Sequence, residues 1–315
     1  METLRITVLA GGPDGERGVS LASGRAVAAA LANSGHDVHF ADAGPGDLAA
    51  LDVPCDVVFP AMHGPWGEGG PLQDELEARG LAYVGSRPEP ARRAMDKMVA
   101  KKVFEEAGLL TPAAVEIDTM EPLSIDRDVV VKPLAGGSSL DVFVRRREQE
   151  TNLADVDAAV SYLLARYGRC MVEDMVDGIE MTVGILGNEA LPPIWIDASN
   201  TSAGWFDYGA KYRPDGAPHR FDVPEFVTTD VLVRLCDVAV KAHEKLGCRD
   251  LSRADMMVTP AGEIWLLEVN TMPGFTGRSL LPDAARHTGL GFEELCDGLV
   301  QRAAARGEQT PVLAA

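Results

Sequence analysis

The order of apolar runs predicts a chain of mixed α/β and α+β class, built from more than one compact unit and opening on a parallel sheet. Three observations carry that reading. Residues 1–92 alternate short apolar runs with helically spaced segments across glycine turns, the pattern of parallel strands covered on both faces. From Val129 the texture changes to strands in closer succession with one helix among them. At 315 residues the chain exceeds an ordinary single domain, so two or three units are expected.

Leu4–Ala10 reads as the first strand, Gly11–Gly18 as a charged glycine turn, and Val19–Ala32 as a helix stopped by Ser34-Gly35. Val38–Ala41 and Val57–Ala61 follow as strands, Leu72–Ala78 as a helix and Leu81–Val84 as a strand. A helix over about Pro90–Ala107, rich in Ala, Met, Lys and Glu, begins the next unit. Val129–Lys132, Val142–Arg145, Cys170–Glu173 and Met181–Leu186 read as strands, with a helix over about Leu153–Tyr167 between the two pairs. That order suggests a small antiparallel α+β unit. Ile194–Ile196 leads into Asp197–Phe226, about 30 residues of Gly, Pro, Asp and aromatics with little periodicity. A loop of that length inside a compact enzyme is usually functional or mobile. Val231, Leu235, Val238, Ala242 and Leu246 share a helical face. Asp255–Val258 and Ile264–Val269 form a hairpin around Thr259-Pro-Ala-Gly262, and the remainder is mostly helical with a plain tail. Neither an internal repeat nor a low-complexity segment interrupts this order.

Charge narrows the function. The chain has 29 Lys and Arg against 48 Asp and Glu, a net −19, with 46% hydrophobic and 24% charged residues. That balance is globular, and no apolar run reaches bilayer-spanning length, so neither a membrane protein nor a secreted precursor is expected. A surface this acidic repels nucleic-acid phosphates, and no basic patch offsets it. Any anionic substrate must be held by a few placed cations. The cysteines (Cys55, Cys170, Cys236, Cys248 and Cys296) form no C-x-x-C pair, and the histidines show no H-x-x-x-H spacing. They read as buried thiols in a reducing compartment, the cytoplasm.

The hairpin carries the most chemistry. Asp255 lies on one strand, while Glu268 and Asn270 lie two apart on the other and so share a face. Two carboxylates and an amide are hard oxygen ligands suited to Mg²⁺ on nucleotide phosphates. Ordinary polar positions on a half-solvated hairpin are the plainer alternative, weakened by the glycine- and hydroxyl-rich loop Thr271–Arg278 that follows. Arg253 shares a face with Asp255 and could stabilise an oxyanion, or simply pair with the acid. Lys132 ends a strand before Leu134-Ala-Gly-Gly-Ser-Ser139, where two glycines and two hydroxyls can cradle phosphate. The lysine precedes the glycines, so this is no Walker motif, and a flexible turn is the other reading. Asp207-Tyr208 and Lys211-Tyr212 suit a lid that excludes water, or an irregular surface loop. Gly11–Gly18 lacks G-x-G-x-x-G spacing; Glu16 at a helix entry could instead orient an ammonium group. His63 follows a strand end, as a site residue or as a satisfied structural histidine.

In this order the segments resemble the D-alanine–D-alanine ligase family of the ATP-grasp superfamily, from Leu4 to about Leu299. The markers are Gly11-Gly with Glu16-Arg17, Val19-Ser-Leu-Ala-Ser-Gly24, His63-Gly with Gly67-Glu68, and Met95-Asp-Lys97. Val131-Lys-Pro133 with Ser138-Ser139, Asp207-Tyr-Gly-Ala-Lys-Tyr212, Arg253-Ala-Asp255, and Leu267-Glu-Val-Asn-Thr-Met-Pro-Gly-Phe-Thr276 with Ser279-Leu280 complete them. The resemblance implies a three-domain ATP-grasp architecture: an N-terminal open parallel α/β sheet (1–92), a small central α+β domain (93–178) and a larger C-terminal domain with lid and metal ligands (179–315). It implies ATP and two Mg²⁺ ions, which Mn²⁺ could replace, small D-amino-acid substrates and a homodimer. Lys97, Lys132 and Ser139 would meet ATP phosphates, Glu173, Met175, Val176 and Glu180 the adenine and ribose, and Lys211 the nucleotide from the lid. Asp255, Glu268 and Asn270 would hold the metals. Glu16 would orient the first ammonium, with Ser138 and Tyr212 linking it to the lid. Arg253 and the N–H of Gly274 would form the oxyanion hole, Ser279 and Leu280 would meet the second carboxylate, and His63 would lie near the first substrate.

The implied activity is ligation of two D-alanines for peptidoglycan through an acyl phosphate. Tyr212 favours a dipeptide over a depsipeptide. Several positions depart from the family pattern. Gly136 stands where a glutamate is usual, Leu140 where valine is, and Asp141 where glycine is; Asp141 either points away from the phosphates or weakens ATP binding. Gly209 replaces a lid glutamate, Gly69 an acidic or amide residue, Asp74 a glycine, and Met175 an aromatic. A paralogue forming a different amide bond in antibiotic biosynthesis or self-resistance is therefore one alternative, and a non-catalytic nucleotide-binding homologue another.

Overall fold

The computed structural model describes residues 3–120, 125, 127–146, 156–199, 201, 205–207, 209, 211 and 216–307. Strands β1 (Arg5–Gly11), β2 (Asp37–Ala43) and β3 (Val57–Pro60) form a parallel sheet in the order β2-β1-β3. β1 is buried from Ile6 onward and β3 throughout, as strands covered on both faces require. The expected strand at Leu81–Val84 contributes a parallel bridge from Tyr83 to Val58. Helix α1 (Arg17–Asn33) lies so close to β1 that a Cβ on Gly24 would stand 2.5 Å from that of Ala10. Only glycine permits that approach.

Short helices α2 (Gly64–Gly67) and α3 (Pro71–Ala78) lead to α4 (Pro88–Met95) and α5 (Lys97–Glu106). The single helix expected over Pro90–Ala107 is thus two, divided at Asp96. Its backbone leaves the helical region (φ −82°, ψ 107°), and its carboxylate accepts the Met98 and Val99 N–H groups as the cap of α5.

Strands β4 (Ala114–Ile117), β5 (Val129–Pro133), β6 (Phe143–Arg145) and β7 (Cys170–Asp174) form a four-stranded antiparallel sheet, order β4-β7-β5-β6, with α6 (Val156–Tyr167) against it. The two-strand, helix, two-strand reading needs one correction. Met181–Leu186 is not its fourth strand: β8 (Ile179–Leu186) pairs with a strand of another sheet, and β4 fills the place. No alternation announces β4, because it is a half-exposed edge strand.

The third sheet runs β11-β10-β8-β12-β13, from β10 (Ile194–Ile196), β11 (His219–Arg220), β12 (Leu251–Val258) and β13 (Ile264–Asn270), with β9 (Glu189–Ala190) beside β8. Helix α7 (Thr229–Leu246) packs on it, capped by Thr228 and stopped by left-handed Gly247. Val238 is half-buried on that helix, and Ala239 is the fully buried neighbour. Two packing relations cross the chain order. Ala94, Ala100 and Phe104 of α4 and α5 bury against this third sheet, and α8 (Leu280–His287) and α9 (Phe292–Gly307) share a core with β1, β3 and α1. Among the described residues, no helix is long and apolar enough to cross a membrane. The five cysteines are free.

Candidate active site

A cavity of about 360 Å³ lies between the four-stranded and the third sheet. Its walls include the Ala135–Leu140 loop, the β7–β8 connection with Met175 and Val176, and Trp205, Phe206 and Lys211 from the loop after β10. Of the long loop read between strands, the two-residue β11 pairs back onto β10, and Phe206 lies under the Lys211 ammonium, 5.0 Å from Nζ to ring centroid. Tyr208 and Tyr212 lie outside the described residues.

The cations converge as an anion site in an acidic protein demands. Lys97 Nζ stands 3.1 Å from Glu268 Oε2 and donates to Gly136 O at 2.9 Å. Lys132 Nζ donates to Glu173 Oε2 at 2.6 Å, and Lys101 Nζ meets Glu173 Oε1 at 2.6 Å. Lys101 also donates to Thr111 Oγ1 and Pro112 O, which fills its three N–H positions. Burial opposes ionisation of Glu268 and Glu173, but the lysines outweigh it: Lys97, Lys211 and Lys132 bring Glu268 down to about 2, and Lys132 and Lys101 hold Glu173 low. Glu180, on β8 and facing the same cavity, is pushed up to about 7 by burial.

The hairpin register puts Asp255 opposite Glu268 and Arg253 opposite Asn270, with a bulge after Asp255. Arg253 grips Asp255 bidentately, Nε to Oδ1 at 2.8 Å and a terminal nitrogen to Oδ2 at 2.7 Å. Thr182 Oγ1 donates to Oδ1 at 2.6 Å and Asn270 Nδ2 to Oδ2 at 3.1 Å. Among the described residues no three His, Cys, Asp or Glu side chains gather into a metal cluster. The donors are hard oxygens suited to Mg²⁺, and Arg253 and Lys97 now balance the charge a dication would balance.

The loop after β5 is tied at several points. Ser138 Oγ donates to the buried carboxylate of Glu16, which heads α1, and Ser139 Oγ donates to Phe206 O at 2.9 Å. Ser138, Ser139 and Asp141 each have φ of +55°. The Asp141 carboxylate accepts from Tyr162 Oη at 3.2 Å and from Tyr167 Oη, and pairs with Arg166 at 3.2 Å, all on α6. Of the two outcomes open for this aspartate, it points away from the cavity, towards that helix.

His63 is buried and faces protein on both sides: Nδ1 lies 3.0 Å from Met272 O and Nε2 3.4 Å from Ser23 Oγ. Burial lowers its pKa, keeping the ring neutral. Beside it Glu68 accepts N–H bonds from Gly64 and Met272, at 3.1 and 3.2 Å. Burial, aided by the charge of Glu16, pushes its carboxyl up to about 8. Ser279 starts α8, its Oγ accepting the Thr276 N–H at 3.0 Å, and Leu280 is buried as the helix's first residue. Gly274 sits against Ser279: a Cβ there would lie 3.2 Å from its Oγ.

Sequence reasoning missed Lys101 and assigned no role to Glu68. Lys101 lies one turn beyond Lys97 on α5, so helical spacing could have found it. Glu68 is an acid in a glycine turn beyond a strand end, the kind of position singled out for His63 alone.

Two antiparallel sheets closing on a lysine-lined cavity, with a carboxylate–amide hairpin at its edge, define an enzyme of the ATP-grasp class. Residues 116–301 match the family model for the D-ala D-ala ligase C-terminus, and the chain belongs to the D-alanine–D-alanine ligase family. A D-alanine–D-alanine ligase of Acidiphilium cryptum is 42% identical over 312 residues, 96% of this chain and 99% of the relative. One from Gloeobacter violaceus is 39% identical over 308 residues, covering 95% and 99%. Among solved structures, the Bacillus anthracis D-alanine–D-alanine ligase complexed with ATP superposes with a TM-score of 0.80 at 25% identity, covering 98% of this chain and 99% of that one. The VanG D-Ala:D-Ser ligase of Enterococcus faecalis gives 0.80 at 26% identity, covering 96% and 100%.

Proposed function

We propose that the chain joins two D-alanines to D-alanyl-D-alanine, using ATP and Mg²⁺. The observation that carries this is the hairpin register, in which two paired carboxylates line the lysine-lined cavity and an arginine–asparagine pair stands next to them. Lys97, Lys132 and Ser139 hold the ATP phosphates, with Lys211 above them. Glu173 and Glu180, with the Met175–Val176 segment, receive adenine and ribose. Asp255, Glu268 and Asn270 would hold Mg²⁺, which would supply charge neutralisation to the phosphates. Glu16 orients the first ammonium, and Ser138, hydrogen-bonded to it, links that substrate to the phosphate loop, with Tyr212 completing the link from the lid. The first carboxylate attacks the γ-phosphorus and ADP leaves. The amine of the second substrate, held by its carboxylate at Ser279 and Leu280, then attacks the acyl phosphate. Arg253 and the Gly274 N–H receive the oxyanion, and inorganic phosphate departs as the amide forms. Closure over the cavity excludes water, so amine is the nucleophile.

The same reading takes the units as 1–92, 93–178 and 179–315, the assembly as a homodimer and the compartment as the cytoplasm, where peptidoglycan precursors are made. The three separate sheets support the first of these. The test is purified protein with ATP, Mg²⁺ and single amino acids, following phosphate release and dipeptide. D-alanine should be consumed with matched phosphate and dipeptide. Turnover only with another amino acid would replace the substrate assignment, and ATP binding without phosphate release would overturn the enzyme reading.

A further inference from the structure

A set of buried contacts crosses from the N-terminal segment to the turn that follows β13. The peptide groups of Met272 are gripped at both ends: its N–H donates to Glu68 Oε2 at 3.2 Å, and its carbonyl accepts from His63 Nδ1 at 3.0 Å. Thr271 Oγ1 donates to the backbone carbonyl of Glu68 at 3.2 Å, and the Phe275 N–H donates to Ser23 Oγ at 3.1 Å. Ser23, His63, Glu68, Thr271, Met272 and Phe275 are all buried. The chemistry fixes the hydrogens. A carbonyl only accepts, so Nδ1 carries the imidazole proton and Nε2 the lone pair. The Ser23 hydroxyl, 3.4 Å away, then points at Nε2 and keeps its own lone pairs for Phe275.

Pro273 and Gly274 are thus suspended between two pinned residues, Met272 and Phe275. Every pin comes from α1 or from the segment between β3 and α3, and none from the hairpin itself. We propose that Glu68, acting with His63 and Ser23, is a positioning residue for ligation, setting the Met272–Phe275 turn so that the Gly274 N–H meets the oxyanion. The inference rests on the reading of Gly274 given above. It accounts for a histidine and an acid that face peptide groups on the turn after β13. Geometry of this kind is steep in its effect: a misplacement of about 1 Å can reduce turnover about 100-fold.

Glu68→Gln keeps the volume and replaces one acceptor oxygen by an NH₂ group, which cannot accept a backbone N–H. With ATP, Mg²⁺ and D-alanine, its kcat for dipeptide should fall about 10- to 100-fold. KM for ATP should stay within twofold, and a larger share of ATP should be spent on phosphate without dipeptide. Ser23→Ala removes the acceptor for Phe275 from the other side and should give the same split, so it decides the matter if Glu68→Gln does not fold. An active wild type with unaltered kcat in the folded variants overturns the positioning role alone. So does a parallel loss of kcat and ATP affinity with a lowered Tm, the mark of a merely structural contact. A wild type that makes no dipeptide overturns the ligase reading, and the positioning role with it.

Discussion

Lys97 and Lys101 sit one turn apart on α5 and serve different partners. Lys97 reaches Glu268 and the glycine loop at the cavity, whereas Lys101 is enclosed by Glu173, Thr111 and Pro112. Two lysines on one carboxylate keep Glu173 ionised despite its burial, with both oxygens directed by cations. Lys101→Met would leave one buried oxygen without its cation. Removing one partner of a buried pair costs about 3 to 5 kcal/mol, and the low end is expected here because Lys132 still holds the other oxygen. Urea unfolding should read that loss, and KM for ATP should rise as Glu173 turns; unchanged values for both would show that Lys101 is idle. The side chains proposed for the site were picked out by type and order. Their partners were not, because Glu173 and Lys101 lie 72 positions apart in sequence and meet only through packing.

At the scale of elements, the loop after β5 and α6 form one device. Ser138, Ser139 and Asp141 hold left-handed backbone, a conformation costly for side-chain-bearing residues unless the surroundings impose it. The phenols of Tyr162 and Tyr167 and the Arg166 guanidinium impose it at Asp141. Asp141→Ala should loosen the loop by about 1 kcal/mol, seen as a roughly fivefold rise in KM for ATP. Asp141→Asn, which tolerates the same backbone and still accepts from a phenol, should recover most of it. A KM unmoved by alanine would sink this role for α6. The division of the Pro90–Ala107 helix belongs to the same scale. Amino-acid propensity alone favours one long helix there, and the capping carboxylate of Asp96 ends it. β4 was invisible for the opposite reason, since an edge strand with exposed centre residues carries no period-two signal.

For the whole molecule, one contributor to acid sensitivity is His243, buried between α7 and β12. Its Nδ1 lies 2.7 Å from Ser252 Oγ, while Nε2 meets no partner among the described residues. Burial lowers its pKa from the usual 6.5 to about 4. Between those values the unfolded chain takes up a proton that the folded chain refuses. The contribution of His243 to stability is therefore full above pH 6.5 and is lost as pH falls towards 4, by about 3 kcal/mol. Urea midpoints of wild type and His243→Gln at pH 7 and pH 4.5 isolate this from the charge of the rest of the chain. The variant should lose less stability on acidification, and an equal loss would rule His243 out.

The sequence by itself determined the mixed α/β and α+β class, the parallel sheet at the N-terminus, and most of the strands and helices along the chain. Those properties are local: alternation and helical spacing. Tertiary structure alone decided which sheet receives Met181–Leu186, which helices close the N-terminal core, and where Asp141 turns. It decided, too, that His63 and Glu68 grip the Met272 peptide. A single strand carries no mark of its partner, and a buried polar group is satisfied by whatever donor the fold brings to it. The charge of −19 divides along the same line: its total is read from composition, while the few carboxylates drawn beside Lys97, Lys101, Lys132 and Arg253 are chosen by packing.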